Sequence, residues 1–241
     1  MQRIVVAALL VLALLFPGFM HLVAIHEDSA MAWGIARMAT GLIVLWIFLG
    51  GSLMYRYRHA ARRLVQSIRL GWRLKFVLFC IVLACIEEMV TVGMTNLAPL
   101  FGARIGEAYI TASTNYFDVV LLHSVIVFVP LFIALMLLLS RYDLSPFAVF
   151  LVFGVVGTIC EAIFAGRAGA AIGFPMWAFV YGLMVWLPAY SLPPAAQRGA
   201  RPARWFHALL AVPAVFILAM PMLLPIVYVI EVVLEHPSIH F

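Results

Sequence analysis

The sequence predicts an all-α, polytopic integral membrane protein: a single transmembrane domain over 1–241, built as a bundle of seven helices, N-terminus inside and C-terminus outside. Three observations carry this expectation. Of the 241 residues, 66% are hydrophobic and only 10% charged, with a mean hydropathy of +1.14. Soluble domains sit near ~45–50% apolar and ~25% charged. Seven segments approach the roughly 20 apolar residues that a membrane crossing needs, and the basic residues collect in alternate loops. A soluble globular domain, a disordered chain and a nucleic-acid-binding module are excluded. The net charge of +5 suits a membrane surface better than DNA.

The expected spans are 4–25, 32–54, 76–98, 118–140, 147–165, 174–192 and 206–234. The first begins after Arg3. A cleavable signal peptide would need small residues near its end, where Asp28-Ser29-Ala30 places a carboxylate, so a retained helix is expected. Arg56, Arg58, Arg62, Arg63, Arg69, Arg73 and Lys75 lie between spans two and three. Leu64, Ile68 and Trp72 recur there at i, i+4, i+8. The segment 56–75 therefore reads as a basic amphipathic helix suited to anionic inner-leaflet lipids, or more simply as a positive retention loop. Arg141 follows span four, and Arg198, Arg201 and Arg204 follow span six. Only Arg104 and Arg167 fall on the opposite side, which fixes the expected orientation; the expected location is the plasma membrane. The glycine-rich stretch Gly166–Gly173 separates spans five and six, and Pro193-Pro194 stops span six. Pro213, Pro221 and Pro225 are expected to bend or break span seven, as a packing kink or a hinge. No internal repeat is evident, which weakens an inverted-repeat transporter.

Ionisable side chains inside a span cost several kcal/mol and call for a partner or a purpose. Span three carries Glu87 and Glu88, with Thr91, Thr95 and Asn96 continuing outward as a polar stripe that could contact substrate. Adjacent carboxylates at membrane depth cannot both ionise cheaply, so one is expected to hold a proton near neutral pH. That is the requirement for a general acid and equally for a proton carrier. Span five carries Glu161 on a face shared with Gly154, Thr158 and Ala165, small residues that let another helix approach. Span four carries His123 beside Ser124, with Asp118 as an expected helix cap and Tyr116 on the face of His123. Arg37, in span two, could snorkel outward or serve as counter-ion to the glutamates. Counting inward from the span ends puts Arg37, Glu87, Glu88, His123 and Glu161 at one depth, in the outer half. One shared catalytic site is expected there, against a buried ion-pair network that only fixes packing.

His236 and His240 are four apart, a spacing that binds metal on a helix. With no third ligand at a matching spacing, a solvated tail is expected and no metal site. Cys80, Cys85 and Cys160 read as small core residues. Trp177, Trp186 and Trp205 read as interfacial or packing aromatics. No cofactor can be named: there is no zinc-protease His-Glu-x-x-His and no phosphate-cradling glycine loop.

Glu87-Glu88 on one span with His123 on the next resembles the CAAX-type glutamic intramembrane proteases. The continuation Met89-Val-Thr-Val-Gly-Met-Thr-Asn96 lacks that family's arginine. Phe117 precedes His123 by six positions where the family has four, and the family's second histidine motif is missing, with Glu161 in the nearest comparable place. The acidic pair alone also resembles the heterodimeric lycopene cyclases. Either resemblance rests on two or three residues and implies intramembrane acid–base chemistry. Three readings follow: such an enzyme on a hydrophobic or membrane-embedded substrate, a proton-coupled transporter or channel using the same carboxylates, and a structural subunit. The enzyme predicts a cavity open to lipid; the transporter, a water path to both sides; the structural subunit, no cavity at all.

Overall fold

The computed structural model describes residues 2–164 and 172–236. Ala165, Arg167 with most of the glycine-rich linker, and the tail from Pro237, including His240, lie outside the described residues. The described chain is helical almost throughout: α1 Gln2–Glu27, α2 Ala30–Ser67, α3 Trp72–Asn96, α4 Tyr116–His123, α5 Val125–Arg141, α6 Pro146–Phe164, α7 Phe174–Tyr190 and α8 Trp205–Val233. Helices α1, α2, α3, α6 and α8 are each long and apolar enough to cross a membrane, and α4 with α5, bent by 46°, makes a sixth. Helix α7 is apolar but has 17 residues. At about 1.5 Å per residue it extends about 25 Å, short of a hydrocarbon core about 30 Å thick. On the outward faces of α1 and α8, Leu15, Leu22, Leu210, Ile217 and Leu224 are each more than half exposed, as a lipid-facing surface requires.

Ser29 caps α2, its Oγ accepting from the Ala32 amide at 3.1 Å. The helix then passes the expected boundary near residue 54 and ends only at Ser67. No glycine or proline interrupts 54–67; the charges there end the hydropathy, not the helix. This extension is also held: Gln66 donates to the Ser191 carbonyl, and His59 Nδ1 lies 3.1 Å from the Tyr190 hydroxyl. Ile68 turns extended, and Gly71 precedes α3. The segment 56–75 is therefore not one amphipathic helix. Leu64 belongs to the end of α2, Ile68 to the turn and Trp72 to the start of α3.

The break expected in span seven does not occur. Pro213, Pro221 and Pro225 lie inside an α8 that continues past them, because neighbouring groups in a bundle can re-satisfy the carbonyls that proline leaves free.

Helix α6 packs closely on α7. A Cβ on Gly154 would stand 2.8 Å from the Ala178 Cα, and one on Gly157 would meet the Tyr181 ring. The small-residue face of span five thus performs the approach expected of it. Trp46 joins α2 to α7, its indole donating to the Val180 carbonyl at 3.0 Å. Phe128, Phe132 and Phe153 fill the space between α5 and α6. At the bundle end that carries the Ser67–Trp72 turn, Arg198 is buried. It donates to the Leu139 and Pro193 carbonyls and to Asp143. Beside it, Tyr142 and Asp143 pair with Arg201 and Pro202 as a two-residue parallel bridge. A guanidinium over the last carbonyls of α5 satisfies the acceptors that every helix C-terminus leaves open.

Candidate functional site

Glu87 and Glu88, on α3, are 3% and 6% exposed. Glu88 takes hydroxyl donors from three elements: Thr91 Oγ1 at 3.0 Å from its own helix, Thr111 Oγ1 at 3.3 Å from the 97–115 loop, and Ser124 Oγ from the α4–α5 bend. No described residue donates to Glu87, which faces a cavity of about 130 Å3. The same cavity is lined by Glu88, Thr91, Thr111, His123, Ser124 and Glu161, with Leu42, Phe128, Cys160 and Trp177 completing its walls. Across it, the Tyr181 hydroxyl of α7 donates to Glu161 of α6. The close approach at Gly154 and Gly157 brings these two helices into register for that bond.

Four of the five expected catalytic residues, Glu87, Glu88, His123 and Glu161, therefore meet at one cavity. Arg37 does not. Its Nη1 donates to the Phe101 carbonyl at 2.7 Å, and its guanidinium lies 5.1 Å from the Trp33 ring centroid. It lines a separate groove with His21 and Thr40. Of the two roles expected for Arg37, counter-ion to the glutamates is not the one the described contacts give it.

Of the expected substrate contacts, only Thr91 reaches the cavity. Thr95 donates to the Thr91 carbonyl and accepts from the Ile110 amide at 3.4 Å. Asn96 donates to the Val92 and Thr114 carbonyls, at 3.0 and 2.8 Å. Both residues pin the 97–115 loop against the end of α3. That pinning delivers Thr111 to Glu88.

The bend at Ser124 has a defined cause. The Ser124 amide donates to Val119, five residues back, at 2.8 Å, and Val119–His123 forms a π turn. Such bulges bend helices and recur at functional sites. Residues 118 and 123, five apart, would point about 140° apart on a regular α-helix; the wider turn brings them to one side. Asp118 is consequently not the cap. Asn115 caps α4, accepting from the Phe117 and Asp118 amides at 3.0 and 3.4 Å. The Asp118 carboxylate instead meets His123 Nε2 at 3.6 Å and His236 Nε2 at 2.8 Å. Thus His236 is not in a solvated tail, and the groups that hydrogen-bond Glu88 are hydroxyls rather than His123. Tyr116 anchors α4, donating to the Cys85 carbonyl at 3.0 Å. Cys80, Cys85 and Cys160 are all free thiols.

Sequence reasoning gave no role to Thr111, Ser124 or Tyr181, and read Trp177 only as an interfacial or packing aromatic. One signal was present: Tyr181 is a phenol in the middle of an apolar span, and a buried phenol seeks an acceptor. The class these features define is a helical bundle with an internal carboxylate cavity. Compared with known proteins, the chain matches no family model, no curated protein and no solved structure.

Proposed function

We propose that the chain is a multi-pass membrane enzyme that performs acid–base chemistry on a hydrophobic or membrane-embedded substrate, with Glu87 and Glu88 as the proton-transfer groups. The observation that carries this reading is the contrast within the pair. Glu88 accepts from three hydroxyls, whereas Glu87, to which no described residue donates, lines a cavity. A carboxyl at a cavity, beside a partner held in place, can reach the proton of a group bound there. Glu161 and Tyr181 supply a second proton-bearing pair on the opposite wall. Leu42, Phe128 and Trp177 give the reacting group of an apolar substrate a low-dielectric seat. His123 orients the bend and does not exchange protons with Glu88 directly. Arg37 holds the loop, not the charge. A purely structural cluster would close on itself with no cavity beside it.

The basic loops support an N-in, C-out orientation, and the membrane we propose is the plasma membrane. The cavity near Arg62 and Lys75 supports binding of anionic inner-leaflet lipid.

The test is infrared difference spectroscopy of protein reconstituted in vesicles, with Glu87→Gln and Glu88→Gln to assign the carboxyl bands, beside a proton-flux assay. A carboxylic acid band that titrates and shifts in deuterium oxide, in vesicles that stay proton-tight, is the expected result. Flux abolished by Glu87→Gln would transfer the same residues to a transporter. A band that neither titrates nor exchanges sinks both active readings.

A further inference from the structure

Outside the carboxylate pair, one cluster combines ligating chemistry with convergent geometry. We propose that Asp118, His123 and His236 form a divalent-metal site of the two-histidine, one-carboxylate kind at the edge of the cavity, taking Zn2+ or a similar borderline cation.

One ligand atom from each of the three residues lies within 4.8 Å of the other two. Both imidazoles present Nε2 to the same carboxylate, one at each oxygen, and their ring centroids are 4.7 Å apart. Zinc bonds nitrogen at about 2.0–2.1 Å, so tetrahedral ligand atoms stand about 3.3 Å apart. The two carboxylate distances, 2.8 and 3.6 Å, already bracket that spacing. The three ligand atoms, all within 4.8 Å of one another, would draw together by about 1.5 Å at most to hold one ion. Nitrogen and oxygen donors in this ratio suit Zn2+, Fe2+ or Mn2+, and three protein ligands leave a coordination position open.

The backbone on both sides converges on this cluster. The π turn brings Asp118 and His123 to one side of α4. At the end of α8, Glu235 adopts φ +49, and the His236 amide returns to the Ile230 carbonyl at 3.1 Å. A non-glycine residue at positive φ is held there at a cost, and what it positions is His236. A single Asp–His hydrogen bond would need neither the bulge nor the second imidazole. His123 belongs to both the cluster and the cavity wall, so a cation here stands beside the reacting group.

The test uses the full chain in nanodiscs, without a polyhistidine tag, stripped with chelator and then titrated with Co2+ and with Zn2+. Stoichiometry is read by elemental analysis and geometry by the visible absorption of Co2+. The expected result is one ion per chain and a Zn2+-dependent rise in melting temperature. Both should be lost in His123→Ala and His236→Ala and kept in His26→Ala. Asp118→Asn should weaken binding by about 100-fold or more, because outer-shell changes alone cost up to about that much. His236→Gln, which preserves bulk near the chain end, guards against a folding defect, and apo melting is compared for every variant. Glu87→Gln should bind as the parent does, so failure of the metal site and failure of the acid–base reading are separable. Absence of stoichiometric Zn2+, or binding unchanged by His123→Ala or His236→Gln, overturns the proposal.

Discussion

Glu88 and Glu87 are adjacent in sequence and opposite in circumstance. Glu88 is the acceptor for Thr91, Thr111 and Ser124. Removing its second acceptor oxygen leaves buried hydroxyls to find other partners. Glu88→Gln is therefore expected to cost about 1–3 kcal/mol of stability, the price of a buried polar group left unmade. Glu87→Gln, where no described donor is disturbed, should melt close to the parent while losing the exchanging carboxyl band. Thermal denaturation of the two variants in one detergent checks this. Equal destabilisation would mean that Glu87 is held as tightly as Glu88, and the division between free and fixed carboxyl would fail. That these glutamates share one cavity wall with Thr91 was legible in the sequence because distance along a helix is linear in residue number. Direction around the helix is not, once turns widen or side chains run long. Arg37, counted to the same level as Glu87 along the sequence, turns to the loop. Asp118 and His123 share a side only through a π turn that no α-helical count contains.

Among the elements, the contact of α6 with α7 sets the geometry of Glu161 and Tyr181. Gly154→Ala would place a methyl 2.8 Å from the Ala178 Cα, against backbone that cannot swing aside. Overpacking of this kind costs about 1–3 kcal/mol. It should also pull the Tyr181 hydroxyl off Glu161. Gly93→Ala on α3 is the matched control, since nothing lies within 4 Å of its Cβ. There the substitution removes only glycine's entropic penalty, and a gain of about 0.5–1 kcal/mol is expected. Melting of the pair should move in opposite directions; a shift of the same sign would show that the α6–α7 approach is not the tight contact described. The small-residue pattern of span five announced this packing because close approach leaves a compositional trace. The run of α2 to Ser67 leaves none. Charge marks where apolar sequence stops, while the helix continues to Ser67 and turns extended only at Ile68.

At the scale of the whole molecule the two ends differ. One end carries the Ser67–Trp72 turn, the Arg198 clamp and a cavity of about 510 Å3 lined by Arg62, Gln66, Trp72, Lys75 and Gln197. The other carries the 97–115 loop and Asp118 with its two histidines. Basic residues counted along the sequence announced the first end, but as a surface helix; the fold instead makes Arg62 of α2 and Lys75 of α3 two sides of one recess. Two cations beside a recess of mixed polar and apolar lining suit an anionic lipid headgroup with its chains. Each basic residue near such a surface contributes about 1 kcal/mol. Arg62→Ala with Lys75→Ala should therefore weaken binding of phosphatidylglycerol by about 30-fold, two such terms at about 1.4 kcal/mol per decade. Raised salt should produce much of the same loss in the parent, because charges open to solvent are screened. Arg104→Ala, at the opposite end and paired with Glu107, should leave lipid binding unchanged. Melting temperatures in phosphatidylglycerol against phosphatidylcholine nanodiscs read the effect directly. Equal melting of the parent in both lipids, or equal loss with Arg104→Ala, would leave the basic residues with only their role in orientation.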